Sequence, residues 1–443
     1  LEAICFMSLG AWLKNIAIGD LIRRTPGFYG PFRALLEQMD QAGLADRKIM
    51  TERLLARAHK IAIQTPYART RNIRGADSAW PYLEKETLRD AVDLFQRRRL
   101  LPVSEASTGG TTGIPLKCVR SWRSVVFEQA VFDHLAALSG VVWPKARIAI
   151  LRGDTIKDPS DLTPPFWIER QGGKQMAFSS NHLNASTISS YIEALRRFHP
   201  ELLWVYPTSL EALCRLAPEG RLDLPTLKLV FSSSEVLTSE MNEQARSMLG
   251  VPVIDYYGQA ERVCASYSMR VGEHYFLPAY GRVELVFSHD DPEFDFYEIV
   301  GTPYWNEAQP LVRYRTGDYA RLAKGMTEND IAEICLGIRP FFGVSGRQSD
   351  YLISPERGHL MGIDHIPRGI PDVVQMQFHQ TALDAVQIHV VPMPGYSRAT
   401  EALILKQARQ KIPESMKVEV VCVDRLYRTE RGKAPLVVRT GAS

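Results

Sequence analysis

The feature that most constrains the fold is a regular alternation of short apolar runs and amphipathic segments in the middle of the chain. The run KARIAILRGD, which begins at Lys145, has the length and the polar end of a buried strand. The next segment carries apolar residues at helical spacing, namely Ile188, Tyr191, Ile192, Leu195 and Phe198. Ser186 or Thr187 precedes this segment and could cap the helix.

The alternation continues for two more rounds. ELLWVYP, LKLVFSSS and VPVIDYYG are typical of strands, and TSLEALCRLAPEG and TSEMNEQARSMLG are typical of the helices between them. Strands joined by helices of this length require crossover connections, which favour a mostly parallel sheet covered on both faces. The sequence therefore predicts an α/β fold.

The pattern changes after Gly346. VVQMQFHQT, LDAVQIHVV and KVEVVCVDR indicate strands, and the stretch from Ala399 to Lys411 indicates a helix, so a small α+β domain is expected here. The polar segment SGRQSDYLISPERG before it has the composition of a hinge. We predict a large N-terminal domain over residues 1–345 and a mobile lid over 346–443.

Composition excludes several classes of protein. A chain of 443 residues with 45% apolar and 23% charged residues is long enough for two or more globular domains. Lys and Arg number 53 against 50 Asp and Glu, so nothing favours a nucleic-acid or anionic-membrane partner. The six cysteines form no C-x-x-C pair, which favours a reducing compartment, and we expect a cytoplasmic protein. The apolar N-terminus LEAICFMSLGAWLKN meets Lys14 well before the ~20 apolar residues of a membrane span, so a packing helix is expected.

The segment EASTGGTTGIPLKC, from Glu105 to Cys118, combines three glycines with four hydroxyl residues and Lys117. Glycine allows close approach to the backbone, and successive amides in such a loop converge on an anion, so a phosphate ligand fits. A solvated turn is an equally good explanation of the segment taken alone. It matches neither the Walker A pattern nor the dinucleotide fingerprint G-x-G-x-x-G.

Other motifs decide between these alternatives. STGGTTGIPLK resembles the phosphate-binding loop of the adenylate-forming enzymes, and YYGQAE, YRTGD, GRQSD and RTERGK follow in the order of that family. The resemblance is strongest to the branch that contains phenylacetate-CoA ligase and the CapK-like proteins, through PPFWIE, YPTSLEAL, YGQAERVCASYS and YGRVEL. It implies a large N-terminal domain and a C-terminal lid that rotates between two half-reactions.

The resemblance also implies a reaction and a set of cofactors. A carboxylic acid attacks the α-phosphorus of ATP to give acyl-AMP and pyrophosphate, and the acyl group then passes to CoA or another acceptor. Glu261 would bind Mg²⁺, which prefers carboxylate and phosphate oxygens; its alternative is a helix N-terminal carboxylate beside Arg262. The loop would hold the β- and γ-phosphates through Ser107, Thr108, Gly109, Gly110, Thr111, Thr112 and Gly113.

Further residues are assigned by the same resemblance. Tyr257 and Gly258 would lie near the adenine or the acyl group, and Asp318 would accept hydrogen bonds from both ribose hydroxyls. Arg347 would contact ribose or phosphate, the alternative being a surface salt bridge. Lys433 would span the charge that develops between the carboxylate and the α-phosphate, acting only in the adenylating conformation. A solvated surface charge is the alternative for Lys433.

The acid pocket and the hinge are less strongly defined. Pocket residues implied by position are Tyr206, Ser233, Ser234, Glu235 and Tyr256, and the hinge would lie at Ser349 and Asp350. The family commonly has aspartate or lysine where Ser349 stands. The family also has a lysine directly after the proline of the phosphate-binding loop, whereas here Leu116 follows that proline and Lys117 comes one residue later. LISPERGHLMGIDHIP departs from the glycine-bearing strand that CoA ligases use in the second half-reaction, so the acceptor stays open between CoA, an amine and a carrier-protein thiol.

Several other residues suit core positions better than chemistry. Cys264 has no histidine placed near it in sequence, which favours a buried structural thiol. The histidines His274, His359, His365 and His379 do not have metal-ligand spacing. The aromatic residues Trp143, Trp167, Trp204 and Tyr206 would line an aryl pocket or fill core.

The main hypothesis is ATP-dependent activation of an aromatic or other compact carboxylic acid. The alternatives are a nucleotide-binding pseudoenzyme or scaffold in a biosynthetic complex, and an amide-forming ligase that does not use CoA. A pseudoenzyme would be expected to lack Glu261, Asp318 or Lys433, and all three are present. A homodimer is possible by analogy with relatives.

Overall fold

The computed structural model describes residues 22–74, 80–97, 103–107, 116–152, 156–158, 161–217, 222–345, 352–356, 358–360, 363, 366–367, 369–429 and 434–439. None of the helices in these ranges is long and apolar enough to cross a membrane.

The helices of the described residues are α1 Tyr29–Gln41, α2 Leu44–Ala62, α3 Pro66–Thr70, α4 Lys85–Asp90, α5 Trp122–Ala137, α6 Ile188–Phe198, α7 Pro207–Leu216, α8 Ser239–Leu249, α9 Glu328–Cys335 and α10 Arg398–Arg409. The strands are β1 Val103–Ser107, β2 Lys117–Ser121, β3 Ile148–Leu151, β4 Trp167–Arg170, β5 Gln175–Phe178, β6 Leu202–Val205, β7 Leu229–Ser233, β8 Val253–Gly258, β9 Ala265–Arg270, β10 Glu273–Phe276, β11 Gly281–Asp290, β12 Phe294–Pro303, β13 Tyr314–Ala323, β14 Val344–Ser345, β15 Leu352–Ser354, β16 Gly358–Leu360, β17 Val373–Ala382, β18 Ala385–Pro392, β19 Lys417–Cys422 and β20 Val437–Arg439.

Backbone contacts divide the chain into two compact units. The first unit comprises Leu1–Ala146, Glu169–Gln175 and Ile254–Ser345, and the second comprises Arg147–Ile168, Met176–Val253 and Gly346–Ser443. One boundary between the units falls between residues 345 and 346, but the second unit also includes residues that precede it, so the division into domains 1–345 and 346–443 stays a prediction. That residues 346–443 act as a mobile lid stays a prediction.

The first unit is built on antiparallel pairing. Strands β11, β12, β13 and β14 form a four-stranded sheet in that order, and β9 pairs with both β8 and β10. Apolar side chains of these strands, such as Phe276 and Tyr314, share one core with residues of the N-terminal helices, such as Leu88. This antiparallel sheet was not predicted from the sequence, because its three longest strands lack the intervening helices that made the other strands recognisable.

The second unit contains the predicted parallel sheet. Strand β6 pairs in parallel with β3 and with β7, and α6, α7 and α8 connect or flank these strands. The apolar stripe of α6 is buried as its spacing predicts, with Tyr191 and Leu195 fully covered. Each such side chain contributes roughly 1.5–3 kcal/mol relative to an exposed one. The predicted α/β fold class is confirmed.

The capping prediction for α6 is only half right. Thr187 occupies the N-cap position, but its side chain makes no capping bond and donates instead to the carbonyls of His182 and Asn184. Ser186 bonds to the Asn184 side chain at 2.7 Å. The preceding turn therefore uses both hydroxyls, and the helix begins without a side-chain cap.

The C-terminal part of the second unit has its own core. Strands β19, β18, β17 and β20 form a mixed sheet in that order, and α10 packs on it through Ile404 and Ala408. The three predicted strands and the predicted helix are confirmed within two residues at most ends. β20, which joins β17 in parallel, was too short to be recognised. This part contacts the rest of its unit where Arg215 Nη1 donates to the Val373 carbonyl at 2.6 Å and Gln375 Nε2 donates to the Thr208 carbonyl at 2.7 Å.

Candidate active site

Glu261 lies in the turn between the antiparallel strands β8 and β9, so the helix N-terminal alternative is wrong. Its side chain is buried, with the residue 1% exposed. Oε1 accepts a hydrogen bond from the Tyr314 hydroxyl at 2.9 Å. No donor among the described residues reaches Oε2, although that oxygen is buried. One carboxylate oxygen is thus held in place, and the other has no donor among the described residues.

The turn that carries Glu261 is fixed by close backbone packing. A Cβ at Gly281 would lie 2.0 Å from the Val263 carbonyl oxygen, and one at Gly301 would lie 2.6 Å from Val263 Cγ2. Only glycine permits strands β11 and β12 to approach the turn this closely. Arg262 adopts a left-handed φ of 55°, and its Nη1 donates to the Ser124 carbonyl at 2.8 Å. These contacts hold Glu261 in one position.

Asp318 lies in an irregular section of β13, not in a free turn. The register between β12 and β13 shifts here, and Gly317 has a φ of 71°. The Asp318 backbone N–H donates to Thr316 Oγ1 at 3.1 Å, and the Tyr257 hydroxyl donates to Asp318 Oδ2 at 2.8 Å. Each carboxylate oxygen has two lone pairs, so Asp318 retains the capacity to accept further hydrogen bonds.

Tyr257 and Tyr256 are adjacent on β8 and therefore point to opposite faces. Burial raises the pKa of Tyr257 well above its usual value, and the neighbouring Asp318 charge adds to the rise, so the phenol stays a neutral donor. The Tyr256 hydroxyl donates to Glu128 Oε1 at 3.1 Å, and the Tyr280 hydroxyl donates to the same carboxylate. Tyr257 thus belongs with Asp318, whereas Tyr256 belongs with Glu128.

The residues around Glu261 fit Mg²⁺. The cation binds hard oxygen ligands and is usually held by one or two protein carboxylates together with substrate phosphates and water. The unpartnered, buried Oε2 of Glu261 is such a ligand. The described residues contain no cluster of three or more His, Cys, Asp or Glu suited to a metal. Glu261 would therefore need phosphate oxygens to complete the coordination.

A second group of candidate residues lies in the second unit. Tyr206 follows the carboxyl end of β6, and Ser233 and Ser234 lie at the carboxyl end of β7. Arg152, which follows β3, was not predicted. Its Nη2 donates to Ser234 Oγ at 2.9 Å, and its Cζ lies 4.1 Å from the centroid of a Trp204 ring. Ser234 and Tyr206 thus contact this guanidinium group, and Ser233 contacts the Trp204 ring that stacks on it.

Glu235 joins two segments of the second unit. Its Oε2 accepts from the Thr208 backbone N–H at 3.1 Å and from Thr208 Oγ1 at 2.8 Å. Its Oε1 accepts from the backbone N–H of Ala434 at 3.1 Å. Burial lowers the pKa of Arg428, and the charge of Glu235 opposes that shift. Glu235 therefore holds the chain immediately after Lys433.

Part of the predicted site lies outside the described residues. This applies to Thr108, Gly109, Gly110, Thr111, Thr112, Gly113, Arg347, Ser349, Asp350 and Lys433, and to the side chain of Ser107. Their assigned roles stay predictions.

Packing explains Cys264 and Trp143, two of the residues for which the sequence offered a core position. Cys264 is buried, Gln259 Nε2 lies 3.2 Å from its Sγ, and burial raises its pKa to about 12, so the thiolate is disfavoured. Trp143 stacks on Phe132 with ring centroids 5.9 Å apart. Trp204 instead faces Arg152 and donates to Ser233 Oγ at 3.3 Å.

Sequence reasoning missed two residues of these groups. Tyr314 is the first residue of the YRTGD motif, so its position could have suggested a role. Arg152 lies near the end of the predicted strand KARIAILRGD, at the edge where parallel strands place ligands, which was a usable signal. Thr208 falls within the stretch from Trp204 to Ser209 that was expected to contribute to the pocket, and the structure adds its contact with Glu235.

Comparisons with known proteins show which families this chain resembles. The family model of the AMP-binding enzymes matches residues 107–306, and that of the CapK C-terminal domain matches residues 352–440. The protein CapK of Staphylococcus aureus is 24% identical over 316 residues, which cover 70% of this chain and 68% of CapK. A phenylacetate-coenzyme A ligase of Pseudomonas putida is 23% identical over 292 residues, which cover 59% of this chain and 63% of the ligase. This chain thus matches less than two thirds of the length of that ligase.

Solved structures share the fold. The crystal structure of 2-hydroxyisobutyryl-CoA ligase in the postadenylation state, in complex with 2-HIB-AMP, superposes with a TM-score of 0.59 at 15% identity over 90% of both chains. The same ligase in complex with R3-HIB-AMP gives the same values.

The solved structures show the fold of the adenylate-forming ligases, and the family model and the curated relatives are those of AMP-forming ligases. The chain belongs to the adenylate-forming superfamily, in the branch that contains CapK and the phenylacetate-CoA ligases. The family prediction made from the sequence is confirmed.

Proposed function

We propose that this protein uses ATP and Mg²⁺ to convert a carboxylic acid into its acyl-AMP, and then transfers the acyl group to a thiol such as CoA or to an amine. The observation that carries the proposal is Glu261, a buried carboxylate whose Oε2 has no donor among the described residues while Oε1 is held by Tyr314. A buried, uncompensated carboxylate is strongly unfavourable, so it indicates a cation that binds with the substrate.

The first half-reaction joins two anions. A carboxylate oxygen of the acid attacks the α-phosphorus of ATP, the bond from that phosphorus to the bridging oxygen breaks, and pyrophosphate leaves with both electrons. Mg²⁺ held by Glu261 would neutralise phosphate charge. The loop from Ser107 to Gly113 would add backbone N–H groups and hydroxyls around the β- and γ-phosphates.

Asp318 would hold the ribose in this scheme. Its carboxylate can accept from both ribose hydroxyls while the Tyr257 hydroxyl fixes its orientation at 2.8 Å. Because Tyr257 stays protonated, its contact with Asp318 persists across the working pH range. Arg347 would support the ribose or the α-phosphate.

Lys433 would stabilise the charge that develops between the attacking carboxylate and the α-phosphate. Support comes from the next residue, since the Ala434 N–H is held by Glu235 at 3.1 Å. A fixed position one residue away would limit the number of conformations that the Lys433 loop can adopt. Catalysis benefits when the charged group is already positioned before the reaction.

The test is acid-dependent exchange of labelled pyrophosphate into ATP with a panel of aromatic and short aliphatic acids. Lys433→Ala is expected to lower the exchange rate by at least ~100-fold. Lys406→Ala, on the exposed face of α10, is the matched control and should exchange as the wild type does. Equal exchange by Lys433→Ala and wild type would remove Lys433 from the adenylation step.

A further inference from the structure

Gln377 is a fully buried polar residue in the middle of β17, with 0% of its surface exposed. Successive side chains of a strand point to opposite faces, so Gln377 faces away from the core that Phe378 shares with α10. Its Nε2 donates to the Tyr427 carbonyl at 3.0 Å and to the Pro435 carbonyl at 2.7 Å. Its Oε1 accepts from the Tyr427 backbone N–H at 2.9 Å. The amide therefore binds the backbone at two separate points of one segment.

The partners of this amide fix its orientation. The two carbonyl oxygens can only accept, so the nitrogen of the amide faces them and the oxygen faces the Tyr427 N–H. His379 Nε2 lies 2.8 Å from Gln377 Oε1, and because that oxygen only accepts, the histidine nitrogen must carry the proton. Burial lowers the pKa of His379 to about 4, so the ring is neutral near pH 7 and this N–H is its only one. Both donors and both acceptor positions of the amide are thus used.

The His379 ring is itself held by a second ring. It stacks on His389 of β18, with ring centroids 3.8 Å apart and an angle of 19° between the planes. His389 lies directly opposite Gln377 in the pairing of β17 with β18. Stacked rings have little freedom to rotate, so the donor on His379 stays directed at the amide of Gln377.

Gln377 connects the two sides of the segment that contains Lys433. Tyr427 precedes Lys433 by six positions, and Pro435 follows it by two. Strand β20 begins two residues after Pro435, so the chain passes from the contact with Gln377 directly into the sheet. A single side chain thus fixes the distance between two points on either side of Lys433, which lowers the entropy cost of placing the residues between them.

Gln380 on the same strand offers a matched comparison. It is also 0% exposed, its Oε1 accepts from the Ile353 N–H at 2.8 Å, and its Nε2 donates to the Ile353 carbonyl at 2.7 Å. Both glutamines therefore bind the backbone of a segment that is distant in sequence. Ile353 belongs to β15, which contains no predicted site residue. Loss of either amide should lower stability, whereas only Gln377 is connected to the Lys433 segment.

We propose that Gln377 is a positioning residue for Lys433, and that its amide, oriented by His379, fixes the Lys433 segment so that the ammonium group is placed for adenylation. The inference rests on the proposed function, in which Lys433 stabilises the charge that develops at the α-phosphate. A displacement of about 1 Å can lower the rate of an enzymatic step by ~100-fold. Removal of the amide should therefore affect the rate and not only the stability.

The test combines Gln377→Ala with Lys433→Ala in pyrophosphate exchange. With Lys433 present, Gln377→Ala should lower kcat by about 10- to 100-fold and leave the KM for ATP within about twofold. In the Lys433→Ala protein the same change should lower the remaining rate by less than about twofold, because the side chain through which Gln377 acts is gone. Gln380→Ala is the matched control, and it should lower the melting temperature to a similar extent while kcat stays within about twofold.

His379→Phe is a second, milder variant that keeps a ring on His389 and removes only the donor to Gln377. It should lower kcat by about threefold when Lys433 is present and not when Lys433 is absent, so it decides the matter if Gln377→Ala does not fold. Equal fractional losses with and without Lys433, or no loss from either variant, would overturn the inference while leaving the proposed function in place.

Failure of the proposed function would give a different result. Absence of exchange with every acid in the wild type would contradict the proposed function itself. Full exchange by Lys433→Ala would contradict the role proposed for Lys433, and with it the positioning role of Gln377.

Discussion

The two groups of candidate residues are opposite in charge and alike in design. In the first unit, hydroxyls of Tyr314 and Tyr257 hold the carboxylates of Glu261 and Asp318. In the second unit, the Ser234 hydroxyl and the Trp204 ring hold the guanidinium of Arg152. In both groups a neutral hydroxyl or ring thus contacts a charged side chain and helps to orient it.

This comparison indicates which side chains should affect activity most when they are replaced. Glu261 is the clearest case, because its buried Oε2 has no donor among the described residues and is therefore expected to interact with a ligand. Charges already neutralised inside the protein, such as Asp133 with Arg24 at 2.6 Å, should matter for folding and not for substrate.

The largest effect is expected at Glu261. Glu261→Gln preserves the shape and can still accept from Tyr314, but it removes the negative charge proposed to bind Mg²⁺. Exchange activity should fall by at least ~100-fold. Thermal unfolding should show that the variant folds. Glu293→Gln, an exposed change in the β11–β12 connection, should have no effect. Full activity of Glu261→Gln would show that the uncompensated oxygen has no role.

A smaller effect is expected at Asp318. Asp318→Asn weakens the charge-assisted hydrogen bonds proposed with ribose and disturbs the contact from Tyr257. The KM for ATP should rise by about 10-fold or more, with a smaller rise for Tyr257→Phe, which retains the carboxylate. An unchanged KM for ATP in both variants, measured at saturating acid, would contradict the ribose assignment.

Glu235 tests whether the second unit also positions Lys433. Glu235→Gln keeps one acceptor oxygen, which can serve Thr208 or the Ala434 N–H but not both, and it loses the charge, so kcat for exchange should fall by about 3- to 10-fold while the KM for ATP is unchanged. The purely structural explanation predicts a lower melting temperature with unchanged kcat, and that outcome would remove Glu235 from the positioning of Lys433.

Asp255 is a carboxyl group of the first unit whose pKa is raised by burial, and it is not one of the candidate site residues. Burial raises its pKa to about 7, and burial lowers the pKa of His274, 3.5 Å away, to about 4. The unfolded carboxyl ionises near pH 4 and the folded one near pH 7, so this group stabilises the fold at low pH and the contribution is lost as pH rises through that window.

The neutral variant Asp255→Asn should therefore remove part of the fall in stability between pH 4 and pH 7, by up to about 4 kcal/mol. His274 acts in the opposite direction, since its depressed pKa gives stability that is lost as pH falls from about 6.5 toward 4. Urea unfolding at several pH values measures both effects. A variant with the wild-type pH dependence would show that Asp255 is ionised in the fold.

The sequence predicted the second unit better than the first for a physical reason. Helical periodicity as in Ile188 and Leu195 is local, so it can be recognised without knowledge of the fold. The antiparallel sheet β11–β14 is stabilised by contacts between distant residues, and the packing of Val263 on Gly281 and Gly301 has no local pattern.

Residues of the candidate site also differ in whether the sequence alone could predict them. Glu261, Tyr257 and Asp318 were found because they lie in motifs that resemble a family. Arg152 and its contact with Ser234 join residues 82 positions apart, and Glu235 reaches Ala434 across 199 positions. Such pairs follow from the fold and could not be read from spacing.

The most direct test of the account is to identify the products formed from ATP with wild-type protein, Mg²⁺ and an acid that supports exchange. The account predicts AMP and pyrophosphate in equal amounts once an acceptor is supplied, with acyl-AMP detectable by mass spectrometry before the acceptor is added. Formation of ADP and inorganic phosphate without pyrophosphate would contradict it.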